Sequence, residues 1–482
     1  MEILLVGTEL SPWLSSSDAP EELAALGKSF KQLGHDVTMI VPYDTAYERG
    51  GLLVARRLSP LELNNGHAVT VFDAQLSSGA KVVLLGMPAG AEWPPKGSSE
   101  LTKSSAMAMA VFARSVAAYV DQRAELGQPI EAVHLFDAET ALVAHAIRAL
   151  SQASTPIVLT LCDLSNAGVG SGAVASEVQD ELLGADAVRL GDDVCFLKAG
   201  LLAADAVVVP SESAVEQLKS GELLGVLNPV VTSMRAQLVA VTAGVDYAKV
   251  NPATCPSLLA RFDAEDTRNK AANKTDWLRH SGLSLEPRPL VLVPGPITGP
   301  SGADHLLPAV ELLLEMDLSL CVFESPSDDP ERSRLLASKV AGRQTDAAIF
   351  ELTHEDQIHR AFAAADFVLY PERDGRGVLS HRAAQRYGAL VIGYARSTMG
   401  ESVVDADAGL VTGTGFLFDE LSASSIAGAV ARALTAYHSG NFERLRRRAM
   451  RQDVSWDRPA RRLLQIYQKC QRGGSSVLPQ VG

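Results

Sequence analysis

The sequence predicts an α/β protein built from two parallel-sheet domains, and three observations lead there. The chain has 482 residues, more than one ordinary core organises and enough for two large units. Short apolar runs bounded by turn residues alternate with amphipathic stretches along most of it, the pattern of buried strands covered by helices. The alternation breaks once, in a polar stretch containing Pro and Asn over 242–288, and then resumes.

The first strand is predicted at 3–6. Leu23, Leu26, Phe30 and Leu33 then share one helical face, and a second strand follows at 37–41. Pro20 inside that helix and Gly34 just past it are start and stop signals. The same grammar places strands at 81–85, 132–136, 157–161, 206–209 and 238–241. Their continuous apolar character is that of strands buried on both faces of a parallel sheet. A boundary near Gly244 divides the chain into domains 1–245 and 246–457, the second with strands at 290–293, 318–323, 348–352, 367–370 and 390–394. Two such sheets place their carboxyl ends, where open α/β sheets bind ligands, across a shared central cleft.

A net charge of −14 argues against nucleic acid or an anionic membrane as partner, because both phosphate fields repel it. The five cysteines, Cys162, Cys195, Cys255, Cys321 and Cys470, are odd in number and contain no CxxC pair. Neither a disulfide framework nor a zinc site is indicated. The opening Met1-Glu2-Ile3 is unlike a signal peptide, and no apolar run is long enough to span a bilayer. These features place the chain in the cytoplasm.

Specific segments then resemble one family. They are Thr8-Glu9-Leu10-Ser11-Pro12, Leu33-Gly34-His35-Asp36-Val37, Val133-His134-Leu135-Phe136-Asp137, Phe196-Leu197-Lys198-Ala199-Gly200 and Gly244-Val245-Asp246-Tyr247. Asn251-Pro252-Ala253-Thr254, Lys270-Ala271-Ala272-Asn273-Lys274, Arg386-Tyr387-Gly388, Gly413-Thr414-Gly415-Phe416 and Ser455-Trp456-Asp457 continue the series. In order and spacing they are similar to the bacterial glycogen synthases and plant starch synthases, which transfer glucose from ADP-glucose to an α-1,4-glucan. The resemblance implies two Rossmann-like domains of the GT-B glycosyltransferase fold, with a last helix, about 458–475, packing back on the first domain. It implies no metal or other cofactor, ADP-glucose being the donor if the chain is active.

Retaining transfer builds negative charge on the departing diphosphate, which fixed cations or amides must meet. The family does this with an arginine and a lysine after the first strand of the second domain, and those places hold Pro296 and Ser301 here. The family lysine of the first domain aligns with Ser15, its sugar-contacting histidine with Cys162, and its glutamate with Gly375. Arg396-Ser397-Thr398 stands where a Thr-Gly-Gly phosphate turn is expected. Glu372 or Asp374, with Arg373 nearby, could replace the glutamate, and Arg396 could restore one positive charge. The polar positions that persist are Glu9, His134 and Asp137. His134 reads as a core or strand-end residue, whereas Glu9 and Asp137 are each a ligand contact or a local structural group, in Asp137 a helix N-cap.

Two further motifs carry less. Gly168-Val169-Gly170-Ser171-Gly172 lacks the strand and lysine of a phosphate loop and reads as a mobile cleft loop. Arg444-Leu445-Arg446-Arg447-Arg448 could hold a polyanion but reads as a solvated helix face. The leading expectation is a catalytically degenerate synthase-like protein, a pseudoenzyme that binds α-glucan, ADP-glucose or an active glycogen synthase. The alternative is an active glycosyltransferase, glycogen synthase or one with a changed donor, whose site has been rebuilt.

Overall fold

The computed structural model describes residues 1–14, 17–88, 90–93, 101–151, 153–164, 167–233, 238–295, 297–299, 301–324, 328–371 and 380–472. The chain divides into two compact units: Met1–Ala243 together with the segment that begins at Trp456, and Gly244–Ser455.

The first unit is built on a nine-stranded sheet. Its strands lie in the spatial order Leu238–Ala240, Ala206–Val209, Ile157–Thr160, Ala132–Phe136, Glu2–Val6, Asp36–Pro42, Lys81–Leu85, Val71–Gln75 and Ala55–Arg56. The first seven are parallel. The last two run antiparallel, an edge the sequence reading does not contain. Their half-exposed pattern has no continuous apolar run to announce them. Leu4 and Val6 point into one core with the helices Lys103–Glu125 and Asp137–Leu150, while Ile3 and Leu5 point into the other with the helix Asp18–Gln32. Strands covered on both faces have to be apolar throughout, which is why they are legible.

The helix Asp457–Gln471 completes that second core. Ala460, Leu463, Leu464 and Tyr467 recur at helical spacing and are buried beside Phe30 and Met39. Each large side chain among them contributes roughly 1.5–3 kcal/mol of burial.

The second unit has six parallel strands in the order Ala347–Glu351, Ser319–Glu324, Leu290–Val293, Phe367–Tyr370, Leu390–Tyr394 and Gly415–Phe418. The polar stretch over 242–288 contains a helix, Lys270–Ser281, that hydrophobic periodicity does not reveal because its inner face is partly polar: Lys270, Asn273, Trp277 and Leu278 are buried. The Lys270 ammonium donates to the carbonyls of Phe362, Ala363 and Tyr387 at 2.9–3.0 Å. One turn on, Lys274 donates to Asp366 at 2.5 Å, and Asn273 bonds the backbone of Ala260 in both directions. Burial drives the Lys270 amine well below its ordinary range. The family segment 270–274 is thus an internal clamp that binds carbonyls no strand or helix satisfies.

Candidate functional site

In each unit the strand order reverses beside its first strand, between Glu2–Val6 and Ala132–Phe136 in the first and between Leu290–Val293 and Phe367–Tyr370 in the second. The loops leaving those carboxyl ends are where ligands of open α/β sheets bind.

In the first unit, Gly7 follows the first strand, and a Cβ there would stand 2.5 Å from Leu23 Cδ1, so the next helix packs close against the strand end. That helix begins with Asp18 and Glu21 in its first turn. Acidic residues there occupy the positive end of the helix dipole, the place an anionic ligand would need. Glu9 is partly exposed in the same loop. Burial first, then the charges of Glu9 and Asp44, push the nearby Tyr47 phenol up.

Asp137 opens the helix Asp137–Leu150 in a left-handed conformation, φ +62°. Its carboxylate makes no cap on that helix. One oxygen instead accepts the backbone N–H of Cys162 at 2.6 Å and of Asp163 at 2.8 Å, which joins the ends of two adjacent strands. The N-cap expectation for Asp137 is corrected accordingly: the positive φ turns the side chain across the sheet end. Burial, with Glu139 nearby, pushes its carboxyl up to about 7 against the pull of the two amides.

Cys162 itself is buried. Burial first, then the carboxylates of Glu22, Asp137 and Asp18, hold its thiol well above the usual range. The position that resembles the family histidine therefore faces acidic groups. Such a setting suits sugar hydroxyls and opposes a diphosphate.

His134 is fully buried. One ring nitrogen bonds the Tyr467 hydroxyl at 2.5 Å and the other the Thr160 hydroxyl at 2.6 Å, while the ring stacks on Phe136 at 4.6 Å between centroids. Both nitrogens being engaged, the ring has nothing to offer a ligand, and its place among the substrate-binding candidates is corrected to packing. Burial lowers its pKa to about 3.

In the second unit, Ser301 sits where the resemblance expects a lysine and closes its own turn. The Thr298 N–H donates to Ser301 Oγ at 3.0 Å, the Ser301 N–H donates back to Thr298 Oγ1 at 3.3 Å, and Ser301 Oγ donates to the Thr298 carbonyl at 2.8 Å. The same loop is tied by the Ile297 N–H to Asp328 at 2.8 Å. A narrow crevice at this switch point is lined by Pro294, Gly295, Ile297, Ser301, Tyr370 and Pro371. Beside the loop stands a cation absent from the sequence candidates, Arg332, whose guanidinium binds Asp304 at 2.9 Å and Asp329 at 2.7 Å. A Cβ on Gly299 would lie 3.5 Å from its Nη2. The only sequence signal for it is Asp329-Pro330, a helix start after the strand Ser319–Glu324.

Arg396 is exposed between the strand Leu390–Tyr394 and the short helix Met399–Ser402. In that turn Ser397 Oγ donates to the Tyr394 carbonyl at 2.7 Å and accepts the Met399 N–H at 3.3 Å, so a side chain takes an amide that a phosphate turn leaves for its ligand. Ser15, Pro296, Glu372, Arg373, Asp374 and Gly375 lie outside the described residues. Among the described residues, no group of three or more His, Cys, Asp or Glu side chains is placed to hold a metal ion, and no helix is long and apolar enough to cross a membrane.

The run 168–172 is packed. Val169–Gly170 pairs with Asp193–Cys195, a Cβ on Gly170 would stand 2.6 Å from Leu101 Cβ, and one on Gly172 would stand 2.1 Å from the Asp192 carbonyl oxygen. Its glycines serve close approach, which corrects the expectation of a mobile cleft loop.

The starch synthase catalytic domain model matches residues 2–231. Glycogen synthase 2 of Agrobacterium fabrum is 29% identical over 97% of this chain and 92% of its own length, and a glycogen synthase of Anaeromyxobacter sp. is 29% identical over 97% and 99%. Over nearly its whole length the chain is similar to the glycogen and starch synthases. Its fold is that of their GT-B glycosyltransferase class. The catalytic domain of Arabidopsis thaliana starch synthase IV, solved with ADP and acarbose, superposes with a TM-score of 0.85 at 20% identity over 98% of this chain and 99% of that one. Sucrose-phosphate synthase of Thermosynechococcus elongatus gives 0.61 at 16% identity over 98% and 100%. Against the pattern of these synthases, the chain carries the neutral side chains Cys162 and Ser301 where the resemblance expects a histidine and a lysine.

Proposed function

We propose that this synthase relative binds α-glucan as an accessory to an active glycogen synthase and transfers little or no glucose from ADP-glucose. The observation that carries the reading is the Thr298–Ser301 knot, in which the residue aligned with the family lysine is neutral and spends its hydroxyl on its own turn. With no cation at that position, and with the charge of the neighbouring Arg332 already offset by Asp304 and Asp329, little is left to meet the charge that develops on a leaving diphosphate. The carboxylates around Cys162 support a neutral polyhydroxyl ligand over a phosphorylated one. Free cysteines throughout fit the reducing cytoplasm as its location, and no metal is assigned a part.

The test is purified protein with ADP-glucose and glycogen, read by ADP release, beside calorimetric titration with maltoheptaose. Saturable maltoheptaose binding without ADP release is the expected result. ADP release at an ordinary enzymatic rate overturns the reading.

A second reading, an active glucosyltransferase with a rebuilt site, is favoured by the comparisons, because the relatives that match nearly end to end carry the name glycogen synthase. Those names weigh more for transfer than for its loss. On that reading Arg332 and Arg396 take over the cationic role, and the substitutions R332Q and R396Q abolish turnover.

A further inference from the structure

The arginines of the helix Phe442–Met450 divide into two groups. Arg446 turns inward and is buried, bound to Asp366 at 2.7 Å and to Glu443. Arg444, Arg447, Arg448 and Arg451 recur at three- and four-residue spacing and form one outward stripe. With Val411 and Gln452 they line an open groove of about 680 Å³ in the second unit. The groove shares no residue with the switch-point loops described above.

Its charge is not cancelled in place. Arg448 donates to the carbonyls of Val411 at 2.9 Å, Thr412 at 2.7 Å and Gly413 at 2.5 Å. Those bonds fix the guanidinium as a rigid wall and leave its full positive charge, since carbonyls satisfy donors without neutralising them. Among the described residues, neither Arg444 nor Arg447 forms an ion pair, and the Arg447 Nε–H is shielded from water with no acceptor. The carboxylates nearby are already committed. Glu443 holds Arg446 and accepts the Thr267 hydroxyl at 3.0 Å, Glu265 pairs with Arg451 at 2.8 Å, and Asp266, whose carboxyl also feels Arg447, is bound by Arg268.

We propose that this groove is a binding site for a small phosphate ester, a sugar phosphate or a nucleotide. The phosphate lies on Arg444 and Arg447, Arg448 stands behind it, and the uncharged part of the ligand rests on Val411 and Gln452. Planar guanidinium forks one helical turn apart suit phosphate oxygens bidentately. The volume is too large for a bare anion and falls within the range of small-molecule sites, about 300–1,000 Å³.

The test is calorimetric titration of the full chain with glucose 6-phosphate and with ADP, the tighter of the two identifying the source of the phosphate. Substituting R444Q together with R447Q is expected to weaken binding at least tenfold, and R444K with R447K to keep part of it, with the unfolding midpoint unchanged in both pairs. Absence of saturable binding to the unsubstituted chain overturns the proposal. So does binding that persists unchanged in the glutamine pair, because that ligand sits elsewhere, and this outcome leaves the reading of the synthase site untouched.

Discussion

His134 and Tyr467, 333 residues apart in sequence, share a 2.5 Å hydrogen bond inside the core of the first unit. The tyrosine comes from the C-terminal helix and the histidine from a central strand, so one bond joins the two separate chain segments from which that unit is made. Replacing Tyr467 by Phe keeps the ring and its packing on Phe30 but strands a buried imidazole nitrogen. The expected loss is about 1–3 kcal/mol, measured by chemical denaturation of the variant beside the parent. An unchanged midpoint would show that the bond contributes nothing.

His134 and Asp137 also set opposing pH dependences. His134 is held down at about 3 against 6.5, so between those values the unfolded chain binds the extra proton and stability rises with pH. Asp137 is held up at about 7 against 3.8, so the folded chain binds the extra proton and stability falls with pH. The two contributions oppose each other from about pH 4 to 6.5, each at most about 1.4 kcal/mol per pH unit. Asn at position 137 tolerates the left-handed backbone and still accepts the two amides. The substitution Asp137→Asn therefore exposes the histidine slope: relative to the parent, the variant gains stability as pH rises from 4.5 to 6.5. Parallel pH profiles for the two proteins would refute this.

The ammonium of Lys270 serves three carbonyls at once. Methionine matches its length and leaves all three unpaired in a dry interior. Lys270→Met should cost the second unit more than about 3 kcal/mol, a loss visible as a lowered thermal transition or as failure to accumulate folded protein.

Ser301 closes the turn that precedes the helix Ala303–Leu314. Ser301→Ala removes the acceptor of the Thr298 N–H and should cost about 1 kcal/mol, comparable to the loss of a helix cap. Ser301→Lys should cost as much and, by itself, produce no ADP release from ADP-glucose. Turnover in that single variant would mean that one cation is all the site lacks.

The inner strands of both sheets are legible because burial on two faces leaves only apolar side chains, as in 3–6 and 290–293, whereas the edge strands Ala55–Arg56, Val71–Gln75 and Gly415–Phe418 are not. The helix Lys270–Ser281 is not legible from periodicity, since its buried face is read in hydrogen bonds rather than hydrophobicity. Asp137 shows the same limit at the candidate site. Its type and place are plain in the sequence, but the positive φ that turns it toward Cys162 and Asp163 follows from the packing of neighbouring strand ends. Arg332 escapes because its role depends on the folded distance between two loops that are well separated in sequence. The arginine run at 444–448 is conspicuous as composition, yet only the inward turn of Arg446 and the carbonyl cage around Arg448 divide it into a structural part and a groove.

The return of the helix Asp457–Gln471 to the first unit has a consequence for biosynthesis. The strands around His134 leave the ribosome early, but part of the cover of that face of the sheet comes from the last helix among the described residues. The second unit, contiguous from Gly244 to Ser455, is complete before that helix. A nascent chain stalled before residue 457 would therefore carry a finished second unit and a first unit whose second core is only partly covered, with Phe30 and Met39 lacking the apolar face of the last helix, a patch for a chaperone to hold.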